Sequence, residues 1–198
     1  EMTSGMVHEN DAAERLLALC GQENMLRSEV KEGKIELKAA CDGVFLVDSS
    51  RLIAVNSQDE VMIATRKGGT AVREGDKLAG MRVIPLIIEE EKLQRAETAA
   101  GKEPLLALRP FVRKTACIVA TGSEVKKGLI QDTFTPVVID KLKTYGIETL
   151  EVVYSGDGVE NVRDAVLAMR EKKPDMILCT GGMSVDPDDN TPGGIRAA

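Results

Sequence analysis

The order of apolar and polar residues divides the chain into three stretches of different texture. Residues 10–20 place leucines and alanines at helical spacing between an Asn-Asp start and Gly21, which predicts a short N-terminal helix. From about residue 31 to residue 110, short alternating runs are separated by glycine turns, and this pattern predicts a small antiparallel β domain. From residue 111 onward, apolar runs alternate with amphipathic stretches, which predicts β-α-β units and a parallel sheet.

The middle stretch contains four strand-like runs, "KIELKAA", "GVFLVD", "EVMIATR" and "RVIPLII". A turn is predicted at Glu74-Gly75-Asp76. Pro85 lies within the last run and places that strand at a sheet edge or a bulge, because proline donates no ladder hydrogen bond. Residues 89–100 are helix formers that end at Gly101, so a connecting helix is predicted to lead out of the β domain.

The last stretch predicts three buried strands at "ACIVAT", "IETLEVVYS" and "DMILCT". The first helix between them, "DTFTPVVIDKLKTYG", is amphipathic, and the second presents Val162, Ala165, Val166 and Met169 on one face. The predicted organisation is therefore an N-terminal helical segment at 1–30, a small β domain with a connecting helix at 31–110, and an α/β domain at 111–198. The expected fold class is α/β, with a three-layer parallel-sheet domain behind a small, mainly β domain.

Composition and charge narrow the function classes. The 198 residues are 43% apolar and 29% charged, and the formal net charge of -6 argues against a general nucleic-acid binder. No run approaches the roughly 18 apolar residues of a membrane helix, and the first residues have no signal pattern, so a cytoplasmic protein without a membrane partner is expected. The start at Glu1 and the end at Ala198 are typical of a piece of a longer protein.

Cysteine and histidine usage argues against a zinc or triad enzyme. Cys20, Cys41, Cys117 and Cys179 are far apart and form no CxxC pair, which favours buried reduced thiols over a metal site. His8 is the only histidine and lies near the terminus. Zinc catalysis and a Ser-His-Asp triad are therefore not expected.

Each of the three predicted parallel strands ends in glycine with acid or hydroxyl groups. The segments are "ATGSEVKKG" after the first strand, "SGDG" after the second and "TGGMSVDPDDNTPGG" after the third. Ligands of open parallel sheets bind outside the carboxyl ends of the strands, where loops run into helices. These three loops are therefore the candidate site.

The third loop contains groups that bind anions and groups that bind cations. Gly181 and Gly182 allow backbone N–H groups to approach a ligand closely, and the hydroxyls of Thr180 and Ser184 add donors that can cradle a phosphate. The loop also contains three carboxylates, those of Asp186, Asp188 and Asp189. They would repel an anionic ligand unless Mg²⁺ lies between the carboxylates and the anion, or unless one carboxylate accepts hydrogen bonds from a ligand ring rich in N–H groups. This mixture fits a ligand with a phosphate and a polar heterocycle or metal.

Two structural interpretations remain open beside the binding hypothesis. Asp189-Asn190-Thr191-Pro192 can cap the next helix, with Asp or Asn at the N-cap and Pro in the first turn, and this role does not exclude anion binding. Lys126 and Lys127 can reach a phosphate from the first loop, although lysines at such positions are more often solvated.

Four motifs in order carry a family resemblance over residues 113–196: "TGSEV…G", the helix "PVVIDKLKTYG", the loop "GD" and "TGGMSVDPDDNTP". Together they resemble the molybdopterin-binding domain shared by molybdopterin adenylyltransferases and molybdopterin molybdotransferases of molybdenum-cofactor biosynthesis. The whole chain resembles a longer prokaryotic molybdopterin-binding protein in which this domain follows a small β domain.

The resemblance assigns roles by position. It implies that Gly181, Gly182 and Ser184 hold the phosphate end of the pterin, and that Asp189 serves Mg²⁺ or catalysis. Further matching positions are Thr121, Gly122 and Glu124 in the first loop, Thr180 before the third loop, and Asp157 in the second loop as a further metal ligand. Two departures are Ser123, where an aspartate is common, and Asn190, where an apolar residue is usual; the first weakens the expectation of metal binding.

The implied activity is Mg²⁺-dependent adenylyl or molybdenum transfer to molybdopterin, with ATP or an AMP-linked pterin as a second ligand and a homo-oligomer as the assembly. The family domain continues beyond the equivalent of Ala198, so the resemblance also implies a truncated domain whose own activity is open. One alternative is a molybdopterin carrier or sensor without turnover, which Ser123 favours. Another is a pyrophosphatase of the competence-damage-inducible family. The segment "DPDDNTP" fits the paired aspartates of that family, whereas "MSVDP" departs from the Gly-Pro-Thr that is usual there.

Overall fold

The structure, a computed structural model, describes residues 5–183 and 190–198. It divides the chain into two compact units, Glu1–Phe111 and Val112–Ala198. Each unit has its own core, and each is considered by itself below.

The first unit contains nine strands and three helices among its described residues. The strands are β1 Met6–His8, β2 Met25–Arg27, β3 Lys34–Ala39, β4 Gly43–Val47, β5 Val61–Thr65, β6 Thr70–Val72, β7 Lys77–Val83, β8 Ile87–Glu89 and β9 Leu106–Pro110. The helices are α1 Glu9–Ala18, α2 Ser49–Asn56 and α3 Glu90–Ala100.

The strands of the first unit form three antiparallel sheets around one core. The sheet orders are β1-β8, β2-β3-β7-β5 and β6-β4-β9. Alternation along β3 buries Ile35 and Leu37 and leaves Lys34 outside, which is the pattern of a sheet with one solvated face. Helix α1 packs against β3 and β7 through Ala12, Leu16 and neighbouring apolar residues, so the N-terminal helix is part of this core.

Three features of the first unit differ from the sequence-based expectation. The helix predicted to lead out of the β domain, α3, instead leads back into it, because β9 follows it and pairs with β4. Residues 49–56 form α2, where only strands and turns were expected; Asp48 begins the helix by accepting a hydrogen bond from the Arg51 N–H at 3.1 Å. The run "RVIPLII" is not one strand, because β7 ends at Val83 and β8 begins at Ile87, with Pro85 between them. Proline cannot continue the ladder, so the chain leaves one sheet and joins another.

The second unit contains three strands and four helices among its described residues. The strands are β10 Thr115–Thr121, β11 Glu148–Ser155 and β12 Met176–Thr180. The helices are α4 Ser123–Lys126, α5 Phe134–Thr144, α6 Val159–Arg170 and α7 Thr191–Ala197. The predicted α/β fold class is confirmed: the three strands form one parallel sheet in the order β11-β10-β12.

Strand β10 is the centre of a three-layer arrangement. Its residues Ala116 to Val119 are fully buried, as expected of a parallel strand that is covered on both faces. Cys117 and Val119 face a cluster with Val162 and Val166 of α6, whereas Ala116 and Ile118 face the α5 side, which includes Leu142. The two helices therefore cover opposite faces of the sheet.

The cysteines and the helix lengths bear on two further expectations. All four cysteines are free, but only Cys20 and Cys117 are buried and Cys41 and Cys179 are half-buried, so the prediction of buried thiols holds for two of the four. Within the described ranges, no helix has the length and apolar character required to cross a membrane.

Candidate functional site

The candidate site lies where β10, β11 and β12 end. Because β10 is the middle strand, the chain leaves it through α5 to reach β11 on one side and later returns through α6 to β12 on the other. The two connecting helices cover opposite faces, so the strand order reverses at β10. Ligands of open α/β sheets bind at this kind of switch point, outside the carboxyl ends of the strands.

A chain of three hydrogen bonds joins the first and third loops. The Thr121 hydroxyl donates to the Thr180 carbonyl at 2.9 Å, and its oxygen lies 3.1 Å from Thr191 Oγ1. The Thr191 N–H in turn donates to the Gly182 carbonyl at 3.2 Å. Thr121 and Thr191 are 9% and 2% exposed, so both hydroxyls are used inside the protein. The loops that leave β10 and β12 are thereby held against each other.

The Gly-Gly pair permits this close approach. Gly181 and Gly182 have φ values of 83° and 55°, in the left-handed region that favours glycine. A Cβ at Gly181 would collide with the carbonyl oxygen of Thr121, and one at Gly182 would lie 2.5 Å from Thr191 Oγ1. Both positions therefore need glycine for steric as well as conformational reasons, independently of any ligand.

A second set of hydrogen bonds joins the first and second loops. The Ser123 N–H donates to the Asp157 carboxylate at 3.0 Å, and the Asp157 N–H donates to Ser123 Oγ at 3.4 Å. The Gly122 N–H donates to the Ser155 carbonyl at 3.1 Å. The Ser123 hydroxyl and N–H lower the pKa of Asp157, with a smaller contribution from the charge of Lys127. Asp157 is exposed, so an ionised carboxylate stands at the rim of the strand ends.

Helix α6 begins directly beside this carboxylate. Gly158 precedes its first residue with φ 98°, and the Asn161 side chain donates to the Asp157 carbonyl at 2.7 Å. The first N–H groups of any helix have no partner within the helix and carry partial positive charge. The end of β11 therefore offers both a carboxylate and a helix N-terminus, which can serve a cation and an anion respectively.

The remaining residues of the first loop are exposed. Glu124, Lys126 and Lys127 lie on or directly after the short helix α4, and their side chains face solvent. Thr121, Gly122, Asp157, Thr180, Gly181 and Gly182 are thus brought together by the contacts above, and Glu124 lies next to them in the chain. The predicted site residues Ser184 and Asp189, with Asp186 and Asp188, lie outside the described residues.

Two contributions were missed or only partly seen in the sequence. The sequence indicated Thr191 only as part of a capping run, yet its hydroxyl contacts the first loop and its N–H contacts the third. The capping interpretation holds in part: Asn190 is the N-cap of α7 and Pro192 lies in its first turn, but the Asn190 side chain makes no capping bond. Asp132 accepts from the N–H groups of Phe134 and Thr135 at 2.9 and 3.0 Å and so caps α5. A short acceptor side chain such as aspartate just before a helix is a capping signal that can be read from the sequence.

The donor set for a metal ion is sparse in the part of the chain that is described. No group of three or more His, Cys, Asp or Glu side chains comes together there. Asp157 is a carboxylate at the strand ends, with exposed Glu124 in the adjacent loop, and one oxygen of Asp157 already accepts from Ser123. Mg²⁺ commonly uses one or two carboxylates together with substrate phosphates and water, so Asp157 fits such an ion only in the presence of a phosphate ligand.

Comparison with known proteins finds similarity in the second unit. Residues 117–198 match the family described as "Probable molybdopterin binding domain". A CinA-like protein of Mycobacterium tuberculosis is 34% identical over 80 residues, which cover 40% of this chain and 19% of that protein. The chain thus spans about a fifth of the length of this curated relative.

Two solved structures with similarity to the chain each cover about two fifths of it. A putative molybdenum cofactor biosynthesis protein from Corynebacterium diphtheriae is 17% identical over 42% of this chain and 55% of that chain, with a TM-score of 0.41. The molybdopterin biosynthesis Mog protein from Mycobacterium ulcerans is 27% identical over 42% of this chain and 55% of that chain, with a TM-score of 0.39. The family match covers the part of the chain that carries the four sequence motifs and the three-layer parallel sheet, and residues 117–198 are therefore similar to a molybdopterin-binding domain.

Proposed function

We propose that the second unit binds molybdopterin at the carboxyl ends of β10, β11 and β12. The observation that carries this proposal is the joining of all three strand-end loops: Thr121 and Thr191 hold the first loop against the third, and Ser123 and Asp157 hold the first against the second. A ligand that contacts all three loops meets a rigid surface, which lowers the entropic cost of binding.

The proposed roles follow from the hydrogen-bonding groups that each residue still has available for a ligand. The Thr121 hydroxyl is consumed by Thr180 and Thr191, so its role is to position the loops rather than to bind the pterin. Gly181 and Gly182 present backbone next to the site because they carry no side chain there. Gly122 and Glu124 of the first loop, with Thr180 before and Ser184 two residues after the Gly-Gly pair in the sequence, are the further proposed binding residues.

The finer proposal is an enzyme that transfers an adenylyl group or molybdenum to molybdopterin, with ATP or an AMP-linked pterin as a second ligand. Asp157 and Asp189 would hold Mg²⁺ between the protein and the phosphate oxygens, where the ion would neutralise charge during transfer. Asp157 supplies the ionised carboxylate for this, since Ser123 lowers its pKa. Transfer of this kind requires positioning and charge neutralisation more than a nucleophile, in agreement with a strand-end region of glycines, hydroxyls and acids.

The test is calorimetric titration of the 198-residue protein with molybdopterin, with and without Mg²⁺. We expect binding that strengthens with Mg²⁺ and that weakens by about tenfold or more in Asp157→Asn and in Asp189→Asn, because each loses a charged ligand. The matched control is Asp164→Asn, an exposed aspartate of α6 that pairs with Arg163. Equal affinity in all three variants would contradict the placement of the site at the strand ends.

Turnover separates the transfer enzyme from its alternatives. Consumption of ATP with molybdopterin and Mg²⁺ would support adenylyl transfer, whereas tight binding without turnover would support a carrier or sensor. The similarity to CinA-like proteins favours a second candidate, a pyrophosphatase of the competence-damage-inducible type, and hydrolysis of ADP-ribose would support it. Absence of molybdopterin binding under all conditions would overturn the main proposal.

A further inference from the structure

A groove with an unusual excess of positive charge lies on the first unit. It has a volume of about 400 Å³ and runs over the outer face of strands β3, β7 and β5. Its floor includes Ala64 and Gly80, which are cross-strand neighbours, and Met62 lies beside them on β5. Four basic side chains and one carboxylate line it: Lys34, Arg66, Lys77 and Arg82, with Glu36.

The positive charges stand opposite one another across the strands. Lys34 of β3 is the register partner of Arg82 of β7, and Lys38 is the register partner of Lys77. Like charges directly opposite each other destabilise a sheet, and a protein of net charge -6 has many acids that could have been placed there. Two such pairs lie on one face, where a bound anion would relieve their repulsion.

The protein's own carboxylates compensate only part of this charge. Glu36 is shared between Lys34 at 2.8 Å and Lys77 at 3.3 Å, and both cations lower its pKa. Arg66 pairs with Asp76 at 2.7 Å. The Arg82 Nε–H donates to the Val83 carbonyl at 3.2 Å, and within residues 5–183 and 190–198 no carboxylate forms an ion pair with its guanidinium. Arg82 thus keeps donors on its outer edge that an anion can use.

The floor of the groove is shaped for a flat group. Gly80 pairs with Glu36 on one side and Ala64 on the other, so two small residues leave a depression between longer side chains. A Cβ at Gly80 would have no contact shorter than 3.8 Å, so neither a clash nor a positive φ explains why glycine occupies this strand position. Met62 is 42% exposed, and its thioether can contact the edge of an aromatic ring.

From these observations we propose that the groove binds a small organic phosphate with a planar ring, of the nucleoside monophosphate class. Its phosphate lies between Lys34 and Arg82, and its ring lies over Ala64 and Gly80 against Met62. This site is separate from the strand-end site of the second unit and does not depend on the function proposed for that unit.

Titration calorimetry of the 198-residue protein with AMP tests the proposal, and adenosine and inorganic phosphate serve as the two partial ligands. We expect AMP to bind more tightly than either partial ligand, because both halves of the groove contribute. Added salt should weaken the binding, since the phosphate contacts are partly exposed. Equal binding of AMP and inorganic phosphate would overturn the part of the proposal that concerns the ring, and no AMP binding would overturn the whole.

Two variants locate the binding in the groove. Arg82→Met removes one charge and should weaken AMP binding by about tenfold or more. Gly80→Val fills the depression without removing any charge, and valine suits a strand, so binding should be lost while the circular dichroism spectrum is retained. The control is Arg95→Met, an exposed arginine of α3 that pairs with Glu91.

The pattern across the variants decides the outcome. Loss of binding in Arg82→Met and Gly80→Val with retention in Arg95→Met would support the groove. Unchanged AMP affinity in Arg82→Met would overturn it, even if Gly80→Val failed to fold, and would place any AMP binding elsewhere, including at the strand ends of the second unit.

Discussion

At the scale of single residues, Ser123 is the position where this chain departs from the expected pattern. It stands where an aspartate is common in the family that the motifs resemble, and that departure weakened the expectation of metal binding. In the structure its N–H and hydroxyl contact Asp157, one loop away, and lower the pKa of that carboxyl group. The serine thus acts through Asp157, whose ionised form it stabilises.

Replacement of this serine gives a pH-dependent prediction. In Ser123→Ala the pKa of Asp157 should rise toward its ordinary value of about 3.9, because the hydroxyl donor is lost while the backbone donor remains. The folded-state pKa is lowered, so the stabilisation is present above the unfolded-state pKa and disappears as pH falls through the folded-state pKa. The variant should therefore lose less stability on acidification than the parent protein.

Carboxyl-carbon NMR titration measures this pKa directly. Asp175 provides the internal reference, because its pKa is lowered by the N–H groups of Lys114 and Thr115 at the opposite end of the strands. A shift of Asp175 equal to that of Asp157 would indicate a general change of structure and would contradict the local explanation.

At the scale of elements, the close approach of α6 and α7 depends on one glycine. A Cβ at Gly194 would lie 2.5 Å from Val162 Cβ and 3.0 Å from the Val159 carbonyl oxygen. At the neighbouring Gly193 the nearest atom would be the Val159 Cγ2 methyl at 3.1 Å, at the end of a side chain. The contact matters for the site because α7 begins at Thr191, which binds the first and third loops.

The two glycines form a matched pair of substitutions in one helix. Alanine gains up to about 1 kcal/mol of helix propensity over glycine at either position. Gly194→Ala should nevertheless destabilise the second unit by about 1–3 kcal/mol, because backbone and Cβ atoms must move apart, whereas Gly193→Ala should be close to neutral. Urea unfolding followed by tyrosine fluorescence measures both, since the two tyrosines, Tyr145 and Tyr154, belong to this unit. Equal stabilities of the two variants would contradict the packing described for α7.

At the scale of the whole molecule, the reactivity of the cysteines indicates whether the core of each unit is closed to solvent. Cys20 belongs to the core of the first unit, and burial raises its pKa to about 12. Cys117 is fully buried beneath α6 in the second unit, and burial also raises its pKa. Burial raises the pKa of Cys179 in the same way, although this residue and Cys41 are only half-buried.

These environments predict an order of thiol labelling in the native protein. Because the thiolate is the reactive form and requires access, Cys41 should react first at about pH 8, and Cys20 and Cys117 should stay unmodified until the protein unfolds. Mass spectrometry of peptides after timed labelling gives the order, and labelling in denaturing urea should remove the differences. Early modification of Cys20 in native protein would mean that the core of the first unit opens under native conditions.

The sequence predicted the elements that depend on local chemistry and on regular periodicity. Helix α3 ends at Ala100, directly before Gly101, as expected, and the three strands of the second unit lie where apolar runs are separated by glycine loops. It failed at α2, because the eight-residue helix Ser49–Asn56 is too short for a clear period and lies among strand-like runs. It also merged β7 and β8, since residues 83–88, which run from the end of β7 into β8, are apolar apart from Pro85 in their middle.

The sequence by itself determined the α/β character of the second unit, its glycine-rich strand ends and the chemical groups available there, because these follow from composition and spacing along the chain. Only the tertiary structure decided which of those groups are available to bind a ligand and which are used in contacts within the protein. It uses the Thr121 hydroxyl inside the protein, pairs Ser123 with Asp157, and sets Lys34 opposite Arg82 on β7. Such contacts join residues far apart in the chain, and strand order and register, which local sequence does not encode, bring them together.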